Sequence, residues 1–144
     1  MSSASATAKA AGKGDKVLPV YNCMEIDTNG VVTVHVYTFS SQAIRTLVGG
    51  TSCLVGCAKS NGVYYSAYAH DEGVLRNMPV NERVSHWVGQ GVMGPVVIIA
   101  SEDHAEETPR CLPQSVIDDP DLIGEAFQEQ ALKALMSRWG AVEE

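Results

Sequence analysis

The 144-residue chain is long enough to bury one hydrophobic core, and its 45% hydrophobic and 19% charged residues are typical of a globular protein. Its formal net charge of −7, with no Lys/Arg run interleaved with aromatic residues, argues against direct nucleic-acid binding. No stretch approaches the roughly 20 apolar residues that cross a bilayer, so we expect no membrane insertion.

The N-terminal residues differ in composition from the rest. Residues 1–15 are mostly Ser, Ala, Gly, Thr and Lys, and such residues cannot offset the entropy of their own ordering. We therefore predict a flexible tail over 1–15 and a single domain over 16–144. The start of the chain lacks the apolar segment of a signal peptide, which favours a cytoplasmic location. The four cysteines are interpreted as free thiols, although Cys53 and Cys57 should face the same side of a strand.

The first predicted elements are two strands joined by a tight turn. Val17–Ile26 and Val31–Phe39 flank the turn signal Asp27-Thr28-Asn29-Gly30, a pattern that predicts a β-hairpin. In the second strand the alternating residues Val32, Val34 and Val36 predict a buried face.

A short helix and a second hairpin are expected next. Ser40–Val48 carries apolar residues at helical spacing and is followed by Gly49-Gly50, which should end the helix. The strands Cys53–Ala58 and Val63–His70 are joined by a turn that contains Asn61-Gly62, the strongest short signal for a hairpin.

The second half begins with another short helix and a buried strand. Asn81 is placed to cap the helix that contains Trp87. Val96–Ile99 is apolar without alternation, which predicts a central strand covered on both faces. The polar segment Ser101–Pro113 is expected to be an exposed loop.

The last predicted element is a long helix that begins after Asp119-Pro120. Its apolar stripe should pack on the core; the stripe comprises Leu122, Ile123, Ala126, Phe127, Ala131, Leu135 and Trp139. The sequence thus predicts an α+β fold: a single five-stranded, mostly antiparallel sheet, two short helices and a longer C-terminal helix, with the helices on one face.

Chemical signatures are sparse. The common phosphate-loop, dinucleotide, zinc-protease and hydrolase motifs are absent from the sequence. His70-Asp71-Glu72 has the residue types of a general base or a divalent-cation site, but an Asp-Glu-Gly sequence after a strand is also ordinary turn chemistry. We assign no catalytic residue, no metal ligand and no cofactor.

Four short segments between Ser41 and Ser101 form a pattern, and they are Leu47-Val48-Gly49-Gly50, His70-Asp71-Glu72-Gly73-Val74-Leu75, Pro79-Val80-Asn81 and Met93-Gly94-Pro95-Val96-Val97-Ile98-Ile99. Together they resemble a family of small proteins of unknown function from bacteriophages, plasmids and large algal viruses. Val74 stands where the family often has Lys. The resemblance implies an accessory protein of a virus or mobile element that acts in the host cytoplasm.

Three functions remain open at this point. The first is a non-enzymatic interaction module that binds a protein partner or forms a homo-oligomer. The second is a small-ligand protein, for instance one that sequesters a nucleotide; its site would gather His70, Asp71, Asn77, Asn81 and His86. The third is a metal-assisted hydrolase that uses His70, Asp71 and Glu72.

Overall fold

Six strands and four helices make up residues 18–139, the part of the chain that the computed structural model describes; the predicted tail, 1–15, lies outside it. The strands are β1 (Tyr21–Ile26), β2 (Val32–Tyr37), β3 (Ser52–Ser60), β4 (Val63–His70), β5 (Val96–Ser101) and β6 (Pro109–Arg110). The helices are α1 (Ser40–Val48), α2 (Glu82–Val88), α3 (Gln114–Asp118) and α4 (Asp121–Trp139).

The strands form one antiparallel sheet in the order β2-β1-β5-β4-β3, and β6 pairs with the end of β5. The predicted fold class, the two hairpins and the central position of β5 are confirmed. The segment Ser101–Pro113, predicted as an exposed loop, differs because it contains β6 and the buried Leu112. A helix that was not predicted, α3, follows directly after this segment and brings the number of helices within residues 18–139 to four.

Helices cover both faces of the sheet, so the prediction of helices on one face is wrong. On what we call the α1 face, Ile44 and Val48 of α1 pack with Val97 and Ile99 of β5. On the α4 face, helices α2, α3 and α4 pack over the other side of β5, which includes Ile98. The absence of alternation in β5 follows from this, because every residue of a strand covered on both sides is buried.

The valines of β2 are not the buried face that their alternation predicted. Val34 and Val36 are 37% and 58% exposed, whereas Tyr37 on the other face is buried. The reason is position: β2 is an edge strand, and the helices of the α4 face do not extend over its outer half. Only Val32 packs against that core.

The first half of α4 docks as predicted, since Ile123, Ala126 and Phe127 are buried. At Gly124 the helix lies directly on the indole ring of Trp87, with no room for a Cβ atom. The second half does not dock: Leu135, predicted to face the core, is 40% exposed. Beyond Ala131 the helix no longer lies over the rest of the protein, and residues 132–138 are exposed.

Candidate functional site

His70, the centre of the predicted chemistry, is enclosed at the end of β4. Its side chain is only 5% exposed, and its Nδ1 accepts a hydrogen bond of 2.9 Å from the backbone N–H of Glu72. Nε2 faces Gly50, where a Cβ atom would lie 2.8 Å away, and has no hydrogen-bond partner among residues 18–139. The lone pair of Nδ1, which a general base or a metal ligand would need, therefore accepts a hydrogen bond that stabilises the turn.

Asn81, the second predicted ligand residue, holds together three parts of the core. Its Oδ1 accepts a bond of 3.2 Å from the N–H of Val84 and so caps α2, as predicted. Its Nδ2 donates to the carbonyl groups of Ile26 and Gly94 at 2.9 and 3.0 Å. The side chain is fully buried, and these three hydrogen bonds to backbone groups occupy its amide. The amide is therefore not available to a ligand.

The other three predicted ligand residues face solvent at separate places. Asp71 follows His70 in an exposed turn, and its N–H donates to the carbonyl of Thr51 at 2.8 Å. Asn77 has a left-handed backbone, φ 58°, in the loop before α2, and His86 is exposed on α2 itself. The chain brings only His70 and Asp71 together.

Metal-ligand geometry is not found in the part of the chain that is described. Within residues 18–139, no group of three or more His, Cys, Asp or Glu side chains is arranged to hold an ion, and His70-Asp71-Glu72 forms none. Cys53 and Cys57 also lie on opposite faces, contrary to prediction. A β-bulge between Leu54 and Gly56 shifts the register, so Cys53 pairs with Ala69 whereas Cys57 pairs with Ser66.

The segments that carry the family resemblance meet in the fold. Gly50 lies against the ring of His70, and Gly73 lies against Met93. Gly94, with φ 83°, donates to the carbonyl of Pro79 at 2.8 Å and accepts the bond from Asn81. Each of these positions therefore has a structural reason that requires no ligand.

A different feature presents binding groups to solvent: the free edge of β2. Because the N–H of Asp27 donates to the carbonyl of Val31, the hydrogen-bonded pairs of this hairpin are the odd-numbered ones, such as Cys23 with His35. The N–H and C=O groups of the even-numbered residues therefore point away from β1. They belong to the three valines of β2, Val32, Val34 and Val36.

Beside this edge, β2 and α1 enclose an apolar groove of about 490 Å³. Tyr37 and Phe39 line it from the strand side, and Ala43 and Leu47 from the helix. Phe39 is 58% exposed, and Val31 at the other end of the strand is 55% exposed. An edge strand beside a helical groove is an arrangement that accepts an additional strand.

The two edges of the sheet differ in how they are protected. On β3 the bulge interrupts the ladder, the side chain of Gln90 donates to the carbonyl of Val55 at 3.2 Å, and Lys59 adds a charge. Bulges and lysines are the usual means by which edge strands avoid pairing with other chains. From Val31 to Phe39 there is no Asp, Glu, Lys, Arg or Pro, and β2 pairs in register along its whole length.

The sequence reasoning missed this edge because it interpreted the valines as core. The sequence did contain a signal, because nine consecutive residues, Val31 to Phe39, carry no formal charge in a chain of net charge −7. Such a strand is expected to be covered by other parts of a protein on both of its faces. The local pattern could not show that the fold leaves both faces of this strand partly exposed.

Comparison with known proteins does not add to these observations. No protein-family model matches the chain, and no curated protein or solved structure is similar to it at a significant level. Among residues 18–139, no helix has the length and apolar character needed to cross a membrane.

Proposed function

We propose that the protein is a non-enzymatic interaction module that associates with a second copy of itself through the free edge of β2. The observation that carries this proposal is the contrast between the edges: β3 is bulged and charged, whereas β2 is regular, apolar and uncovered.

A second copy fits this edge because the edge is complementary to itself. Two β2 strands can pair antiparallel about a two-fold axis at Val34, using only the outward N–H and C=O groups. Val32 then lies opposite Val36 of the partner subunit. Directly opposite side chains share a face, so the exposed valines of both copies form one apolar strip on the α4 face.

The same register fills the groove on the α1 face. With Val34 at the axis, Tyr37 pairs with the partner's Val31, which lies on the same face as Tyr37. That residue, 55% exposed in the single chain, then enters the groove lined by Tyr37, Phe39 and Leu47. One register thus covers both the exposed strand and the open groove, and it places no formal charges opposite each other.

The family resemblance supplies a context for such a module. An accessory protein of a phage, plasmid or algal virus, acting in the host cytoplasm, would be assembled in this way from two identical chains. The enclosed His70 and the occupied Asn81 favour association over either a hydrolase or a ligand site built from those residues.

Sedimentation equilibrium of the wild type and two lysine variants tests the proposal. We expect a concentration-dependent dimer for the wild type and a monomer for Val34→Lys, because two lysines would meet at the two-fold axis. Leu54→Lys is the matched control: Leu54 is 51% exposed on the opposite edge strand, and its variant should still dimerise.

Two results would overturn this function. One is a wild type that stays monomeric up to millimolar concentration. The other is a dimer that survives Val34→Lys but is lost in Leu54→Lys, which would place the interface on β3.

A further inference from the structure

A second cavity, on the α4 face and at the far side of the sheet from β2, has polar walls. It has a volume of about 440 Å³, within the range of small-molecule sites. Its polar lining residues are Ser60, Asn61, Tyr65, Arg110, Ser115 and Glu125. They come from the turn between β3 and β4, from β4, from β6 and from the two C-terminal helices, so only the folded chain assembles them.

Arg110 supplies a positive charge that no carboxylate within residues 18–139 pairs with. Its Nε donates to the carbonyl of Cys111 at 2.9 Å, which fixes the plane of the guanidinium group. Within residues 18–139 its two terminal nitrogens donate no hydrogen bond, and the ion pairs found there involve other residues. Glu125 lines the same cavity but lies beyond ion-pair distance of Arg110.

Tyr65 brings a second donor to the same cavity. The residue is 2% exposed, and its hydroxyl group donates to no other group in the described range. Burial raises the pKa of Tyr65, while the nearby Arg110 guanidinium acts in the opposite direction. Both side chains line the same cavity, and both have hydrogen-bond donors to spare.

The remaining polar groups complete a set in which donors predominate. Ser60, Asn61 and Ser115, whose side chains end in hydroxyl or amide groups, line the same cavity. Donors that outnumber the acceptors in a cavity favour a ligand rich in oxygen acceptors, and a guanidinium group matches the geometry of a carboxylate or a phosphate. The single carboxylate, Glu125, is exposed and suits a hydroxyl or amino group on the same ligand.

We propose that this cavity binds a small organic oxyanion, a carboxylate or phosphate ester with hydroxyl groups, whose charged group is held by Arg110 and Tyr65. The site is separate from the β2 edge and does not depend on self-association. It also gives a small-ligand function a location other than the His70 region.

Thermal unfolding in the presence of defined anions, followed by calorimetric titration, tests the site. The probes are inorganic phosphate, citrate and AMP, each compared with sodium chloride at equal ionic strength. We expect at least one probe to raise the Tm of the wild type, because a ligand of the folded state stabilises it by mass action. If citrate raises the Tm and phosphate does not, the site binds carboxylates. If phosphate raises the Tm and citrate does not, the site binds phosphates.

Three variants connect the effect to the cavity. Arg110→Gln should weaken binding of the active probe by roughly tenfold or more, because it removes both the charge and the paired guanidinium donors, whereas Tyr65→Phe removes a single hydrogen bond and should weaken binding by roughly a few-fold. Arg45→Gln, at an exposed position of α1, should bind like the wild type.

The proposal fails if none of the three anions raises the Tm above the chloride control. It also fails if Arg110→Gln, shown to be folded by its own unfolding transition, binds as tightly as the wild type. Equal losses in Arg110→Gln and Arg45→Gln would contradict it as well, because they would indicate a general charge effect.

Discussion

Asn81 shows how a single side chain can look like a ligand and be part of the scaffold. Its role as a helix cap was predictable from its place before an apolar helix. Its two donor bonds were not, because their acceptors, Ile26 and Gly94, are 55 and 13 residues away in the chain. Local signals cannot identify partners that only the tertiary fold brings near.

Replacing this side chain should be costly. Asn81→Ala removes the cap of α2 and the two buried hydrogen bonds to the carbonyl groups of Ile26 and Gly94. We expect a loss of about 2–4 kcal/mol in the free energy of unfolding, measured by urea denaturation. In contrast, Asn77→Gly, at an exposed left-handed position, should change it by less than about 0.5 kcal/mol; equal losses would refute the role given to Asn81.

Cys23 gives the residue-scale prediction for pH. Burial, and then the nearby Glu25 carboxylate, raise the pKa of its thiol to about 12. An ordinary thiol in the unfolded chain ionises near pH 8.5, so above that pH the unfolded state loses a proton that the folded state keeps. This contribution to stability is complete below about pH 8.5 and decreases as the pH rises, by up to about 1.4 kcal/mol per pH unit.

Urea unfolding between pH 7 and pH 10 measures this effect. The free energy of unfolding should be flat to about pH 8.5 and fall above it, and Cys23→Ala should flatten the fall up to pH 10. Burial also raises the pKa of the Tyr37 and Tyr68 hydroxyl groups, which steepens the decline further in both proteins above about pH 10. Identical slopes for both proteins below pH 10 would show that Cys23 ionises normally.

At the scale of elements, strand pairing was more predictable than strand environment. The turns Asp27–Gly30 and Asn61-Gly62 define both hairpins from short-range chemistry. Which face of β2 is buried depends instead on how far α2, α3 and α4 extend over the sheet, and that is a property of the assembled fold. The β-bulge in β3 likewise places Cys57 on the opposite face from Cys53, which the spacing of the two residues did not predict.

The contact between α4 and α2 gives a prediction at this scale. A methyl group at Gly124 would overlap the indole ring of the buried Trp87, so the two helices would have to move apart. We expect Gly124→Ala to lower the free energy of unfolding by about 1–3 kcal/mol in thermal or urea denaturation. Helix propensity alone would predict a gain instead.

Gly91→Ala is the matched control for this substitution. A Cβ atom at Gly91 would meet no other atom within 4 Å, so the variant should unfold like the wild type. If Gly124→Ala is as stable as Gly91→Ala, then α4 does not pack on Trp87 as closely as described.

At the scale of the whole molecule, the acidic surface and the uncharged edge of β2 are different regions. The chain carries a net charge of −7, yet the residues from Val31 to Phe39 include no formal charge. Two acidic copies repel each other at long range, and salt screens this repulsion over about 10 Å at 0.1 M. Association through a neutral edge should therefore strengthen with added salt, whereas association through the acidic surface with a basic partner should weaken.

Amide hydrogen exchange at β2 tests the central claim most directly. In a single chain the N–H groups of Val32, Val34 and Val36 point to solvent, while those of Thr33 and His35 face β1. We predict that the valine amides become protected as protein concentration rises and lose this protection in Val34→Lys. Fast exchange of the valine amides at every concentration, with Thr33 and His35 protected throughout, would contradict pairing through this edge.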